Sequence, residues 1–175
     1  MAKQFLFIGD SLIEFFNWQE RFPDEQVYNF GSAGETAEGL FSRLPKITRR
    51  IESPDLVMLM TGTNNIVMED YGFLITYEKI ITHLQNSYKQ TTIVMTSLLP
   101  MELFFLGDAV SQANKRLKNI AQLKNIAFLD LYPLFLSKDS VAIKDYYEPD
   151  GVHLSEKGYE VWAKALEEAV FPSLL

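Results

Sequence analysis

The amino-acid sequence predicts an α/β fold, a three-layer α/β/α sandwich around a five-stranded parallel sheet, and two observations carry that expectation. Five short runs of apolar, β-branched and aromatic residues recur along the chain: "QFLFIG" at 4–9, "VYNFG" at 27–31, "DLVMLMTG" at 55–62, "TTIVMTSLL" at 91–99 and "IAFLDLY" at 126–132. Between and after them, apolar residues return at helical spacing. Strands that alternate with helices of this length are joined by crossovers, which produce a parallel sheet covered on both faces.

Each run is nearly continuous rather than alternating, as expected of strands buried on both sides. The helical segments read in order as follows. Leu40, Leu44, Ile47 and Ile51 share a face within 36–51, where Pro45 is expected to break or kink the helix. Tyr77, Ile80, Ile81, Leu84 and Tyr88 mark the next helix, and Leu117, Ile120, Ala121 and Leu123 the one after. Tyr159, Trp162, Ala163, Leu166 and Val170 mark the last. Five strands in this rhythm fit a flavodoxin-like strand order. No repeat, low-complexity tract or linker interrupts the pattern, so residues 1–175 are read as one domain.

Composition narrows the function classes. A chain of 175 residues is long enough to bury about two thirds of its unfolded surface. Hydrophobic residues at 47% and charged residues at 22% are globular values, which sets disordered and fibrous classes aside. The formal charge of −7, with no block of lysine or arginine to offset it, repels phosphate backbones and anionic membranes, so nucleic acid is not the expected partner. No run approaches the ~18 apolar residues of a membrane span. The apolar run in "MAKQFLFIGDSL" is too short for a signal peptide, which makes a cytoplasmic address the expectation. The absence of cysteine removes disulfides, thiolate zinc sites and cysteine nucleophiles together.

In parallel sheets the ligand sits beyond the carboxyl ends of the strands. The loops there are "GDSL" at 9–12, "GSAGET" at 31–36 and "GTNN" at 62–65, and "YYEPDGVHLS" at 146–155 precedes the last helix. Acyl transfer by a serine needs a positioned base, usually an imidazole, and a third group to orient that base. The chain has two histidines. His83 shares a polar helix face with Lys79, Asn86 and Gln90 and reads as a solvated surface residue, so a histidine base would be His153. Asp150 lies three residues before His153 across Gly151, within reach of the ring. The backbone N–H groups of Ser11 and Gly34 and the side-chain amide of Asn64 are suitable donors to an oxyanion.

Four of these segments, "FIGDSL", "NFGSAGET", "GTNN" and "DGVH", resemble blocks I, II, III and V of the SGNH, or GDSL-type, hydrolases, in that order along nearly the whole chain. The resemblance implies an esterase or lipase-like acylhydrolase with a flavodoxin-like sheet. It makes Ser11 the nucleophile, Gly34 and Asn64 oxyanion donors beside the Ser11 amide, and Asp150 and His153 the acid and base. One position departs from the pattern: Asn65 stands where block III commonly has aspartate, and "GTNN" resembles the acetylhydrolase-like branch. That change bears on the hydrogen bonding behind the loop.

Plainer readings stand beside these. Ser11 alone would be a helix cap; Asp10 reads as a brace of the turn through backbone N–H groups rather than as the catalytic acid. Gly31, Gly34, Asn64 and Asn65 are ordinary turn residues in isolation. "GETAEG" at 34–39 has the glycine spacing of a phosphate loop but Leu40 and Phe41 where lysine and serine or threonine belong, and no dinucleotide fingerprint follows the first strand. Asp145, Glu148, Asp150 and His153 would supply oxygen and nitrogen to a cation, yet the second histidine lies on a distant helix, so no metal and no cofactor is expected. The stretch "PMELFFLGDAV" at 100–110 is too apolar for a plain connection; Met101, Phe104 and Phe105, with Leu103 and Leu106, line an acyl pocket, form a homodimer contact or pack into the core.

The expected activity is hydrolysis of a small-molecule ester of a small or lipid-like acyl group through an acyl-enzyme. Acyl transfer to another acceptor and thioester cleavage would use the same residues. A non-catalytic α/β binding module would keep the fold and lose the chemistry.

Overall fold

The computed structural model describes residues 2–103 and 106–174. Five strands form the predicted parallel sheet: β1 (Gln4–Gly9), β2 (Gln26–Gly31), β3 (Leu56–Met60), β4 (Thr92–Thr96) and β5 (Ala127–Leu129), in the order β2-β1-β3-β4-β5. The helices are α1 (Ser11–Glu14), α2 (Trp18–Arg21), α3 (Ala37–Arg50), α4 (Thr63–Val67), α5 (Phe73–Ser87), α6 (Ala109–Lys124) and α7 (Glu156–Leu174).

The strand order dictates the layers. From β1 the chain steps outward to β2, then returns past β1 to β3 and continues in that direction to β4 and β5. Right-handed crossovers therefore place α1 and α2 on one face of the sheet and α3, α5 and α6 on the other. After β5, α7 joins the first face, where Trp162 meets Trp18 edge-on at 5.4 Å and Tyr159 stacks on Phe16 at 4.5 Å. The direction in which the chain adds strands reverses between β1 and β3, so the loops leaving the carboxyl ends of these two parallel strands diverge and open a crevice.

Burial follows position in the sheet. The central strands β1 and β3 are almost wholly buried, matching their continuous apolar runs, and Phe5 and Phe7 of β1 pack on Trp18 and Phe22. Each such ring removed from water stabilises the fold by about 2–3 kcal/mol. The runs at 27–31 and 126–132, expected to be covered on both faces, form the two edges instead; β2 and β5 are partly exposed. Their continuity in sequence could not distinguish an edge from a centre.

Two helix readings need correction. Pro45 neither ends nor splits α3, which runs from Ala37 to Arg50 with Pro45 inside. Buried Leu40 and Leu44 on one side of the proline and Ile47 on the other anchor both halves to the core, offsetting the roughly 3 kcal/mol that an interior proline costs a free helix. Leu123 is 84% exposed and does not belong to the buried stripe of Leu117, Ile120 and Ala121. Two residues past Ala121, it has already rotated away from the core.

Candidate active site

The end of β1 sets the first group. Gly9 closes the strand against β3, where a Cβ would overlap the Met60 carbonyl oxygen, so the chain can pass only without a side chain. Asp10 then caps α1, its Oδ1 accepting from the Leu12 amide at 3.1 Å. The cap is Asp10, and Ser11 is the first residue of the helix, with its hydroxyl free for other work. Because α1 spans four residues, what it offers at this point is the bare Ser11 N–H rather than a helix dipole.

Asp10 is fully buried. Burial pushes its carboxyl up to about 6 from 3.8, against the favourable Leu12 amide, the nearby Thr63 hydroxyl and amide, and attraction to His153. Thr63 lies close enough to favour the charge, yet neither Asp10 Oδ2 nor the Thr63 hydroxyl completes a hydrogen bond. A carboxyl that holds its proton more tightly when folded makes stability fall as pH rises from 3.8 to about 6. Across that interval the cost is on the order of 3 kcal/mol. Asp10→Asn keeps an oxygen for the Leu12 amide and carries no charge, so its unfolding free energy is expected to lack this fall; denaturant titrations at pH 4 and pH 7 check it.

The base and its partner come from the turn before α7. Tyr147 and Leu154 pair as an antiparallel bridge, and the Glu148 amide donates to the His153 carbonyl at 2.8 Å, closing a small hairpin around 148–153. Gly151 takes a φ of 69°, and a Cβ there would strike Glu102 Cβ at 2.8 Å, while the Glu102 amide donates to the Gly151 carbonyl at 3.0 Å. Inside the turn, Asp150 Oδ1 accepts from the Val152 and His153 amides at 2.9 Å each, and Oδ2 faces His153 Nδ1 at 2.6 Å. Partial burial works to raise the Asp150 carboxyl, but the imidazole and the two amides outweigh it and hold it at about 2. An ionised carboxylate can only accept, so Nδ1 carries the ring proton and Nε2 is left as an acceptor. Nε2 lies 3.0 Å from Ser11 Oγ. Phe15, 57% exposed, lies against His153 with its ring centroid 5.2 Å from that of the imidazole.

The loop after β2 brings Gly34 to the same end of the sheet. Gly34 has a φ of 73°, and a Cβ there would meet nothing within 4 Å. Its N–H and that of Ser11 have no acceptor among the described residues. Asn64, in the first turn of α4, donates one amide hydrogen to the Glu35 carbonyl at 2.9 Å, which leaves the second hydrogen available. Ser11, His153 and Asp150 thus form one connected chain of contacts, and Gly34 and Asn64 are joined through Glu35.

The sequence profile of the GDSL-like Lipase/Acylhydrolase family matches residues 7–161. The chain belongs to that family. It is 27% identical over 177 residues to the platelet-activating factor acetylhydrolase IB subunit alpha2 of Rattus norvegicus, covering 97% of this chain and 76% of that one. The subunit of the same name from Homo sapiens is 27% identical with the same coverage. A GDSL-like lipase from Bacteroides thetaiotaomicron superposes with a TM-score of 0.79 at 20% identity, over 98% of this chain and 89% of that chain. A catalytic mutant of an acetylxylan esterase from Geobacillus stearothermophilus gives 0.79 at 20% identity, over 96% and 94%. At that identity the two structures speak to the fold.

Within the GDSL-like framework the unusual Asn65 has a defined place. It is buried; its Oδ1 accepts from the Ala37 amide at 3.0 Å, and its Nδ2 donates at 2.9 Å to both Glu38 Oε2 and Asp70 Oδ2. An aspartate here would set a third carboxylate against two others, whereas the amide bridges them. Burial raises the Glu38 carboxyl, but the Asn65 amide and the Thr76 hydroxyl prevail and hold it below its usual value.

Other residues singled out in the sequence have these places. His83 is partly buried rather than simply solvated, with Nε2 3.1 Å from Thr48 Oγ1, and desolvation lowers its pKa. Asp145 pairs with Lys157 at 3.0 Å, and among the described residues no three His, Asp or Glu side chains converge as a cation site. Met101 and Leu103 pack against the core and, with Leu106, Val110, Tyr132 and Leu136, line a cavity of about 430 Å³. Phe104 and Phe105 lie outside the described residues. Three residues near the site escape a reading by motif: Phe15 on the His153 ring, and Arg43 and Glu35, whose side chains pair at 2.6 Å. Phe15 leaves a trace in sequence as an apolar residue beside a nucleophile motif, and Glu35 lies inside "GSAGET" without a role that the motif names.

Proposed function

We propose that this GDSL-like acylhydrolase is a serine ester hydrolase that works through an acyl-enzyme, with Ser11, His153 and Asp150 as its triad. The observation that carries the reading is the 3.0 Å approach of Ser11 Oγ to His153 Nε2, with Asp150 Oδ2 2.6 Å behind the ring. His153 Nε2 takes the hydroxyl proton as Ser11 Oγ attacks the ester carbonyl carbon. Negative charge then gathers on the carbonyl oxygen and is met by the N–H groups of Ser11 and Gly34 and the free amide hydrogen of Asn64. The imidazolium, held by the ionised Asp150, returns its proton to the departing alcohol. Water attacks the acyl-enzyme by the same steps in reverse, and the acid is released.

A short acyl group fits best. The platelet-activating factor acetylhydrolase subunits, relatives by sequence, are named for an acetyl ester, as is the acetylxylan esterase that shares the fold. Two measurements test the reading. A fluorophosphonate probe is expected to label the Ser11 peptide of the wild-type protein and to leave Ser11→Ala unlabelled. Across acetyl, butyryl, octanoyl and palmitoyl esters of one chromogenic alcohol, kcat/KM is expected to be highest for acetyl. Labelling elsewhere, or none in an active preparation, overturns the nucleophile; a maximum at palmitoyl overturns the short acyl group.

A further inference from the structure

The loop that carries Gly34 is tied at nearly every residue. The Ser32 amide donates to the Gly9 carbonyl at 3.0 Å, the Ala33 amide to Glu14 Oε2 at 2.6 Å, the Glu35 amide to the Ser32 carbonyl at 3.2 Å, and the Ala37 amide to Asn65 Oδ1 at 3.0 Å. One side chain from α3 gathers these ties. Arg43 presents its fork to Glu35, Nε to Oε1 and a terminal nitrogen to Oε2, both at 2.6 Å, and that terminal nitrogen also reaches the Phe30 carbonyl at 2.7 Å and the Gly9 carbonyl at 3.3 Å. Both side chains are largely withdrawn from solvent, at 26% and 11% exposure, so the pair is not a loose surface contact. A guanidinium suits this place because its planar donors serve a carboxylate and carbonyls at once, which a lysine ammonium cannot match in geometry.

The groups Arg43 touches adjoin all three proposed oxyanion donors. Gly9 is two residues before Ser11, Glu35 follows Gly34, and the Glu35 carbonyl is the acceptor that orients the Asn64 amide. We infer that Arg43, through its fork onto Glu35, is a positioning residue that fixes Gly34 and Asn64 relative to Ser11. The inference rests on the reading of those groups as oxyanion donors. A misplaced donor weakens transition-state binding and leaves ground-state binding nearly intact, so the effect belongs in kcat.

The test is a double-mutant cycle on the full chain with a chromogenic acetyl ester, with active sites counted by end-point fluorophosphonate labelling so that misfolded protein does not enter kcat. Arg43→Lys and Arg43→Met are expected to lower kcat about tenfold with KM changed by less than about twofold. In an Asn64→Ala background, the same Arg43 changes are expected to cost about threefold, because one of the two donors they position is gone and Gly34 remains. Glu35→Gln, which keeps the carbonyl and side-chain size, is expected to reproduce the kcat loss if Arg43→Met yields too little protein. Equal losses in both backgrounds, or a wild-type kcat per labelled site in Arg43→Lys and Glu35→Gln, overturn the inference while a slow Asn64→Ala leaves the donor reading standing. A wild-type rate in Asn64→Ala overturns the donor reading and the inference with it.

Discussion

Ser11→Ala is expected to lower kcat toward an acetyl ester about 10⁶-fold, the loss seen when a hydrolase of this chemistry loses its nucleophile, with the fold unchanged. Two structural facts separate this outcome from simple damage. The Ser11 hydroxyl reaches one side-chain partner, His153 Nε2 at 3.0 Å, so removing it strands no buried backbone group. The helix cap belongs to Asp10 and the Ser11 N–H stays in place, so stability is expected to move by less than about 0.5 kcal/mol. Initial rates together with thermal unfolding decide the matter. Because the proposed nucleophile and base would act as a unit, Ser11→Ala combined with His153→Ala is expected to be no slower than either change alone. A variant that keeps more than about a hundredth of the wild-type rate would remove Ser11 from the chemistry.

The fold and the proposed site were legible to different depths because different physics writes them. Strand existence shows in local apolar density, and the crossover rule then places the layers, so β1, β3 and β4 with α3, α5 and α7 could be read directly. What local density cannot reveal is rank within the sheet: "VYNFG" and "IAFLDLY" resemble central strands yet form the edges, where one flank has no neighbour. Pro45 misled for a related reason, since propensity is local and the burial of Leu44 and Ile47 that overrides it is tertiary. The proposed site was legible where short-range chemistry concentrates at strand ends, in Ser11, Gly34 and Asn64, and in the Asp150 to His153 spacing. Arg43 was not. The three residues that accept from it lie 8, 13 and 34 residues away in sequence, and on a helix face it looks like any solvated arginine. Asn65 showed as a departure from the expected aspartate, but its purpose lies in Glu38 and Asp70, which only the folded chain brings together.

Asp150→Asn separates orientation from charge and is expected to cost about 10⁴-fold in kcat, the size of effect known when a triad acid becomes an amide. The substitution keeps the shape. The side-chain oxygen that accepts from the Val152 and His153 amides at 2.9 Å can stay where it is, so the hairpin turn is retained. The other position then carries an NH₂ group pointing at His153 Nδ1, where a carboxylate oxygen stood 2.6 Å away. Two donors cannot face each other, so the ring must give up its Nδ1 proton and carry one on Nε2 instead. That proton points at Ser11 Oγ, and an Nε2–H cannot accept the hydroxyl proton; the base is lost although every heavy atom is close to its former place. In the proposed triad the ionised Asp150 also stabilises the imidazolium, and its replacement removes that attraction at the same step. Asp150→Glu provides the contrast: it restores charge and acceptor character while displacing the carboxylate by one methylene, and its rate is expected between those of wild type and Asp150→Asn. If Asp150→Asn hydrolyses acetyl ester within about tenfold of wild type, Asp150 holds the turn and nothing more, and the orientation of His153 must come from elsewhere.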